Sequence, residues 1–242
     1  MKKRIMTLVL MLVFTTSQFV YASPLFSGSE VSVSGTLDYF SSYMWRGQTL
    51  DTDLVVQPGF TVGCKDFSFG FWSSMPVSDK DSSGASNEVD ITVSYSRDFG
   101  KVGISLGYVS YEFPSTVFSG TDEVFAGFSL NELPISFGVT YYNDYDDADG
   151  LKGSYTVVDL GKDIGKITEL PISVSLSMGT YSDYGTFMNG SVITVGLGSE
   201  VEISEKVTMS PSIYYVYTSG DLSEDSIGNQ KGGVYGGFSL GF

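Results

Sequence analysis

The acidic run from residue 143 to residue 150 comes closest to a metal-binding motif. It reads Asn-Asp-Tyr-Asp-Asp-Ala-Asp-Gly, and carboxylate and amide oxygens are the ligands that Ca²⁺ prefers. When Gly150 is placed at the sixth position of an EF-hand loop, the first ligand position falls on Tyr145 and the twelfth on Thr156. The register therefore fails at both ends. We interpret the run as an acidic, solvated loop, and a loose surface site for a divalent cation is the alternative.

Histidine is absent from all 242 residues, which removes the side chain that most often serves as a general base in hydrolysis. A zinc centre would lack its commonest nitrogen ligand for the same reason. Cys64 is the single cysteine, so no intramolecular disulfide can form, and we interpret it as a structural residue beside a turn. The sequence predicts a protein that is not an enzyme, with no catalytic residue, metal site or cofactor.

Four charged residues within alternating segments are the remaining candidates for a functional role. Asp38, Asp90 and Asp159 are out of phase with the apolar residues around them, and Arg46 shares the phase of Asp38. Because successive side chains of a strand point to opposite faces, all four should point away from the apolar face. Two interpretations stay open. In the first, the four line a water-filled pore with Arg46 at its mouth. In the second, they pair with each other or with hydroxyl groups inside a plugged, structural barrel.

The elements that carry these residues are short segments of alternating apolar and polar residues. In the ninth of them, for example, Ile172, Val174 and Leu176 alternate with Ser173 and Ser175. Period-two alternation predicts strands, and helical periodicity is absent throughout. The predicted strands are about 30–45, 55–64, 67–76, 88–97, 102–112, 121–130, 134–143, 153–161, 170–180, 190–199, 207–218 and 232–242.

The lengths of the connections favour a membrane barrel over a β-sandwich. Long acidic connections such as 77–87 follow the odd-numbered strands, whereas short turns such as 65–66 and 131–133 follow most even-numbered ones. Two longer connections, 162–169 and 200–206, are the exceptions on the short side. Short periplasmic turns and long outer loops are typical of outer-membrane barrels. The sequence predicts an all-β fold, a single antiparallel up-and-down transmembrane barrel of about 12 strands with both termini in the periplasm.

Aromatic residues gather at the two ends of the predicted strands. Amphipathic rings commonly form girdles at both membrane interfaces, so we expect two such girdles here. The loop-side candidates are Tyr43, Trp45, Tyr108, Tyr111, Tyr141, Tyr142, Tyr181, Tyr215 and Tyr217, and the opposite ones are Phe67, Phe99 and Phe242.

The amino-terminal segment predicts export from the cytoplasm. A basic start is followed by an apolar stretch over 5–14 and by small residues that end at Ala22. The apolar stretch is too short to span a bilayer as a helix. We expect a cleaved signal peptide over 1–22 and a mature barrel over 23–242.

The carboxyl-terminal residues alternate in the same way as the strands and end in an aromatic ring. Phe238, Leu240 and Phe242 resemble the signal that the barrel assembly machinery of the outer membrane recognises. We expect that machinery to be a partner during biogenesis, and outer-membrane lipid and lipopolysaccharide to surround the folded protein.

The charge of the chain is strongly acidic, with 28 acidic residues against 13 basic ones. Removal of residues 1–22 would take away three of those basic residues and no acidic one. Such a charge argues against nucleic acid as a partner. The acidic outer loops could instead contact lipopolysaccharide through bridging divalent cations.

The segment from Gly35 to Met75 resembles the TorF-family porins, a group of Gram-negative outer-membrane proteins. The residues that carry the resemblance are Asp38-Tyr39, Ser42-Tyr43-Met44-Trp45-Arg46-Gly47 and Gln57-Pro58. It implies a twelve-strand barrel and a channel role, and it carries no catalytic residue across.

Two functions fit these features. The first is a passive, porin-like channel for small polar solutes that mildly prefers cations, with Asp38, Arg46, Asp90 and Asp159 along its pore. The alternative is a closed structural or surface-interaction barrel without transport activity. The sequence leaves the solute and the oligomeric state open.

Overall fold

The structure is a computed structural model, and it describes residues 31–78, 87–116, 119–146, 152–167, 169–184, 188–223 and 232–242. The predicted signal peptide over 1–22 lies outside the described residues, as do residues 147–150 of the acidic run. Among the described residues, no helix is long and apolar enough to cross a membrane.

Within these residues the chain forms β-strands and one short 3₁₀ helix, Asp221–Ser223. The strands are β1 (Val31–Phe40), β2 (Tyr43–Trp45), β3 (Gln48–Asp51), β4 (Val55–Cys64), β5 (Phe67–Pro76), β6 (Glu88–Phe99), β7 (Val102–Glu112), β8 (Thr121–Leu130), β9 (Ser136–Asp144), β10 (Gly153–Ile167), β11 (Leu170–Tyr184), β12 (Met188–Gly198), β13 (Val201–Ser204), β14 (Val207–Gly220) and β15 (Val234–Gly241).

Twelve of these strands form a closed antiparallel wall, because all except β2, β3 and β13 pair with a wall neighbour on both sides. The ring closes where β1 pairs with β15, and the backbones of Gly35 and Phe242 exchange hydrogen bonds of 2.7 and 3.0 Å at this seam. Closure removes the unpaired edges that lipid would not tolerate. The predicted up-and-down barrel of about 12 strands is confirmed. We name the end where β1 begins and β15 finishes the terminal end, and the opposite end the loop end.

The wall has an apolar outer face and a polar inner one. Phe69, Val93 and Leu106 are 41%, 49% and 51% exposed on the outside. Asp38 and Asp159, which occupy inward positions, are each only 1% exposed. The alternation that the sequence shows is thus the alternation between lipid-facing and lumen-facing side chains.

The first predicted strand is too long. Strand β1 ends at Phe40, and the chain bends at residues 41–42 and leaves the wall. Strands β2 and β3 then form a separate hairpin with Trp45 opposite Gln48. The reason is that the hairpin strands show the same alternation as the wall strands, so a strand pattern alone does not separate them.

Two connections at the terminal end also differ from the prediction. Strand β10 continues through a bulge between Asp163 and Gly165 to pair with β11 as far as Ile167 opposite Leu170, so the expected loop over 162–169 is mostly strand. In the expected loop over 200–206, β13 pairs with the start of β14. Extended pairing satisfies the backbone hydrogen bonds that a loop would leave to solvent.

The predicted loop-side girdle divides between the two faces. Tyr141, Tyr215 and Tyr217 are 46%, 54% and 52% exposed on the outer face, as a girdle requires. Tyr142, which follows Tyr141 directly, is 1% exposed, and Tyr43, Tyr111 and Tyr181 are likewise buried in the lumen. Neighbouring residues of a strand point to opposite faces, so a cluster of tyrosines in sequence cannot lie on one face. At the terminal end, the three phenylalanines are exposed as expected: Phe67, Phe99 and Phe242.

Candidate functional site: a hairpin inside the barrel

The segment from Tyr43 to Asp51, which we name the lumen hairpin, folds back into the loop-end half of the barrel. Its turn consists of Arg46 and Gly47, with φ values of 45° and 85°. Positive φ at both central residues is the geometry of a type I′ turn, which matches the twist of a two-stranded hairpin. Glycine adopts this geometry without strain, so the Arg-Gly pair places an arginine at the tip of the hairpin.

Arg46 binds the carboxylate of Glu123 on β8. Its Nη1 and Nη2 donate to Oε1 and Oε2 of Glu123 at 2.7 and 2.8 Å. The arginine is 4% exposed and the glutamate 0%. The hydroxyl of Tyr111 donates a further hydrogen bond of 2.8 Å to the same carboxylate. This buried, bidentate ion pair fixes both the position and the orientation of the hairpin tip.

Aromatic rings enclose the guanidinium group of Arg46. Its Cζ lies 4.6 Å from the ring centre of Trp45, 4.3 Å from that of Tyr142 and 4.7 Å from that of Tyr155. The hydroxyl of Tyr181 donates to the Arg46 carbonyl oxygen at 3.0 Å. Since ring faces attract cations, most strongly where water is excluded, these contacts add to the ion pair.

The base of the lumen hairpin reaches the opposite side of the barrel. The hydroxyl of Tyr43 donates to Oε2 of Glu88 on β6 at 2.7 Å, and its ring lies 5.6 Å from the ring of Trp72 on β5. A Cβ atom at Gly47 would lie 2.7 Å from Val192 on β12. The hairpin thus contacts wall strands from β5 round to β12. A segment that contacts so much of the circumference must lie across the lumen.

The structure places the four predicted pore-lining residues inside the barrel, and it brings Asp90 close to Arg46 but leaves Asp38 and Asp159 apart from them. Asp38, Asp90 and Asp159 occupy inward positions on β1, β6 and β10, in separate sectors of the wall. One carboxylate oxygen of each has no protein hydrogen-bond partner among the described residues. The sequence analysis placed Arg46 at the mouth of the pore, whereas the structure places it at the tip of the lumen hairpin. Glu123 and three aromatic rings stabilise Arg46 in this buried position.

The terminal-end half of the lumen has a different lining, made of serine, threonine and glycine. Several of these serines lie beside a glycine of the neighbouring strand. At one such pair, a Cβ atom added to Gly63 would lie only 2.6 Å from the hydroxyl oxygen of Ser32. The hydroxyl oxygens of Ser68 and Ser94 are 2.6 Å apart. Side chains this small cannot fill the interior in the way that the lumen hairpin fills the other half.

One family model matches the chain over residues 25–224, and its description is "Bacterial protein of unknown function (Gcw_chp)". The chain belongs to the Gcw_chp family. No curated protein matches it.

Solved structures show the fold that this Gcw_chp chain shares. The NanC porin is 9% identical and matches 87% of this chain and 98% of its own, with a TM-score of 0.54. The KdgM porin, in a structure titled as a complex with disordered oligogalacturonate, is 10% identical and matches 86% of this chain and 96% of its own, with a TM-score of 0.55. Identities this low show a shared porin-like outer-membrane barrel fold and nothing of the function.

Two acidic residues of the Gcw_chp site, Glu88 and Glu123, were missed by the sequence analysis. Both lie within predicted strands and have the inward phase, Glu88 the same as Asp90 and Glu123 the same as Gly127. That phase was the signal that could have found them. The arginine of the hairpin and these two glutamates form an internal latch, and Asp90 is hydrogen-bonded to Glu88 beside it. The carboxylates of Asp38 and Asp159 are left to face the remaining lumen. Such an arrangement can hold the hairpin in place and attract cations.

Proposed function

We propose that this Gcw_chp chain is a bacterial outer-membrane channel for small polar solutes, in which the lumen hairpin forms the constriction. The observation that carries the proposal is the Ser, Thr and Gly lining of the terminal-end half. A barrel that served only as a scaffold could pack that half with apolar side chains, as the loop-end half is packed around Tyr142, Val157 and Val216. A lining of small polar groups keeps the lumen wide and hydrated.

The similar barrels support this proposal without deciding it. Both NanC and KdgM are named as porins, and KdgM was studied with an oligogalacturonate. The resemblance of residues 35–75 to the TorF-family porins also agrees with a channel role and stays a prediction. In this proposal the termini lie in the periplasm, and outer-membrane lipid and lipopolysaccharide surround the apolar face.

A mild preference for cations is part of the proposal. Asp38, Asp90 and Asp159 face the lumen, whereas Arg46 is neutralised by Glu123. Fixed negative charges concentrate cations in a narrow aqueous space, and the effect weakens as salt screens them. Reversal potentials under a salt gradient should shift toward zero when the three aspartates are changed to asparagine. Anion selectivity of the unmodified protein would contradict this part of the proposal.

A closed barrel is the second candidate, and the burial of the lumen hairpin favours it. Tyr43, Met44 and Arg46 are 2%, 6% and 4% exposed, so the hairpin leaves little space around its tip. A cavity of about 50 Å³ lies beside it, which holds only a few water molecules.

Single-channel recording in planar bilayers separates the two candidates. We would compare the unmodified protein with a variant in which residues 43–51 are replaced by a Gly-Ser segment of equal length. The same replacement over residues 113–120, between β7 and β8, is the matched control. A channel predicts small conductance for the unmodified protein and the control, and a larger one for the hairpin variant. Absence of conductance from all three folded proteins would establish the closed barrel instead.

A further inference from the structure

The guanidinium group of Arg46 occupies a site that is built largely from the barrel wall. Glu123, Tyr142 and Tyr155, which contact this group, are on the wall strands β8, β9 and β10. Trp45, the third ring beside it, is on the lumen hairpin itself. If the hairpin moved away, the wall would keep the carboxylate and two of the three rings. We name Glu123, Tyr142 and Tyr155 the guanidinium receptor.

Pairing between wall strands holds the receptor in place. Tyr142 lies opposite Tyr155 in the β9–β10 pair, with their ring centres 6.4 Å apart. Tyr155 lies opposite Tyr181 of β11, with their ring centres 4.6 Å apart. Tyr111 on β7 donates a hydrogen bond of 2.8 Å to the carboxylate of Glu123 on the next strand. These contacts do not involve the hairpin, so the receptor is preorganised by the wall.

The chemistry of the receptor selects a planar cation. Both carboxylate oxygens of Glu123 accept hydrogen bonds from one group, at 2.7 and 2.8 Å, and two wall rings lie 4.3 and 4.7 Å from its Cζ atom. A guanidinium group offers parallel N–H donors and flat faces, whereas an ammonium group is a point charge without such a fork. The space for the ligand is the space that the Arg46 guanidinium already fills, so no further cavity is needed.

The surroundings of the receptor also favour a cation. Glu88 and Asp90 on β6 are close enough to interact with the charge of Arg46. With Glu123, three acidic residues thus surround the position of one guanidinium group. Withdrawal of the hairpin would leave this position negatively charged, and such a charge attracts cations and repels anions.

We infer that the guanidinium receptor binds the guanidinium group of a solute, and that such a solute displaces the lumen hairpin. The tip of the hairpin is then an internal competitor of the solute, because both need the same carboxylate and rings. The inference rests on the proposed function in one respect, since displacement of the hairpin opens a path only if the barrel is a channel. A ligand that binds only the open form raises the population of that form by the factor 1 + [L]/Kd.

The first test is calorimetric titration of the folded Arg46→Ala barrel in detergent with ethylguanidinium, the part of the arginine side chain that this change removes. We expect saturable binding. Adding Glu123→Gln should weaken it about tenfold or more, since hydrogen bonds to a charged group are lost. Glu132→Gln in the same background is the matched control, because the pair of Glu132 and Lys101 is exposed, and it should leave binding unchanged. Ethylammonium, which has the same chain and a point charge, should bind more weakly.

The second test uses the unmodified barrel and measures hydrogen exchange of the hairpin amides by mass spectrometry. Exchange of protected amides follows the population of the locally open form. Ethylguanidinium at ten times the Kd found for Arg46→Ala should therefore speed exchange in residues 43–51 about tenfold. Exchange in the wall strand β11 should not change, and ethylammonium at the same concentration should have a smaller effect on the hairpin.

The possible results separate this inference from the proposed channel, because neither test measures conductance. A folded Arg46→Ala barrel, as judged by heat-dependent gel mobility, that binds no ethylguanidinium would overturn the receptor, as would binding that Glu123→Gln does not weaken. Binding without faster hairpin exchange in the unmodified barrel would overturn the displacement. Equal acceleration in the hairpin and in β11, or equal effects of the two cations, would show a general solvent or salt effect and overturn it too. A channel that conducts but fails these tests would lose the receptor and keep the proposed function.

Discussion

Removal of the charge of Glu123 should release the lumen hairpin. In the folded protein Arg46 is held by two hydrogen bonds of 2.7 and 2.8 Å to this carboxylate, in a setting where both residues are almost completely buried. Glu123→Gln keeps the shape and leaves a buried guanidinium group without its countercharge. Loss of one partner of a buried ion pair costs about 3–5 kcal/mol, which corresponds to a roughly 150- to 5,000-fold larger population of the released hairpin.

Trypsin reports this population directly, because it cleaves after arginine and Arg46 is 4% exposed when the hairpin is seated. When opening and closing are fast relative to cleavage, the cleavage rate follows the population of the open form. We expect the bond between Arg46 and Gly47 to be resistant in the unmodified barrel and to be cleaved at least about 100-fold faster in Glu123→Gln. Mass spectrometry of the fragments identifies this cleavage among those at other basic residues.

Glu132→Gln is the matched control for this experiment. Glu132 also faces a basic residue, Lys101, at 3.4 Å, but both side chains are mostly exposed, and such surface pairs contribute little. The control should be cleaved at Arg46 as slowly as the unmodified protein. If Glu123→Gln folds and shows the same slow cleavage as the control, the ion pair does not hold the hairpin and the latch is refuted.

Three further predictions concern other parts of the barrel. Gly47→Val should also raise trypsin cleavage at Arg46, because valine is strained at a φ of 85° by about 1–2 kcal/mol and its Cβ would lie 2.7 Å from Val192. Phe242→Asp should lower the amount of heat-modifiable, folded barrel in the outer membrane, since Phe242 pairs with Gly35 at the seam and ends the predicted assembly signal; unchanged levels would remove that signal. A protease cleavage site inserted at Lys101, in a terminal-end turn, should be cut by added protease only after the outer membrane is permeabilised. Cleavage in intact cells would show that the barrel has the orientation opposite to the predicted one.

The wall of the barrel could be predicted from the sequence because each wall strand shows the alternation of apolar and polar residues by itself. Ile193, Val195 and Leu197 face lipid, and Thr194 and Gly196 between them face the lumen. This period-two pattern is local, and it does not depend on which strand lies alongside. The assembly role of the terminal aromatic residues and the signal peptide stay predictions, since neither is a property of the folded barrel.

The lumen hairpin could not be predicted, because what places it is not local. Arg46 and Glu123 are 77 residues apart in the chain, and Gln48 and Tyr181 are 133 apart. A single sequence gives no sign of which residues meet across such separations. The only local sign is Arg46-Gly47, which the sequence analysis used to recognise a resemblance and not a turn. In the strand pattern Tyr43 and Trp45 continue the alternation of β1, so they were assigned to the wall.

The hairpin also explains why the interior charges have two different roles. A 12-stranded wall of this kind encloses more space than its inward side chains can fill when many of them are serine and glycine. The chain fills the loop-end half with a segment of its own, and a cation brought into that half needs Glu123 as its countercharge. Asp38 and Asp159 lie outside the latch, where water and solute are the partners available to them, whereas Asp90 lies beside Glu88 near the loop end. An acidic lumen with its one hairpin arginine neutralised is therefore a consequence of the plug, and the charge that remains for a solute to meet is negative.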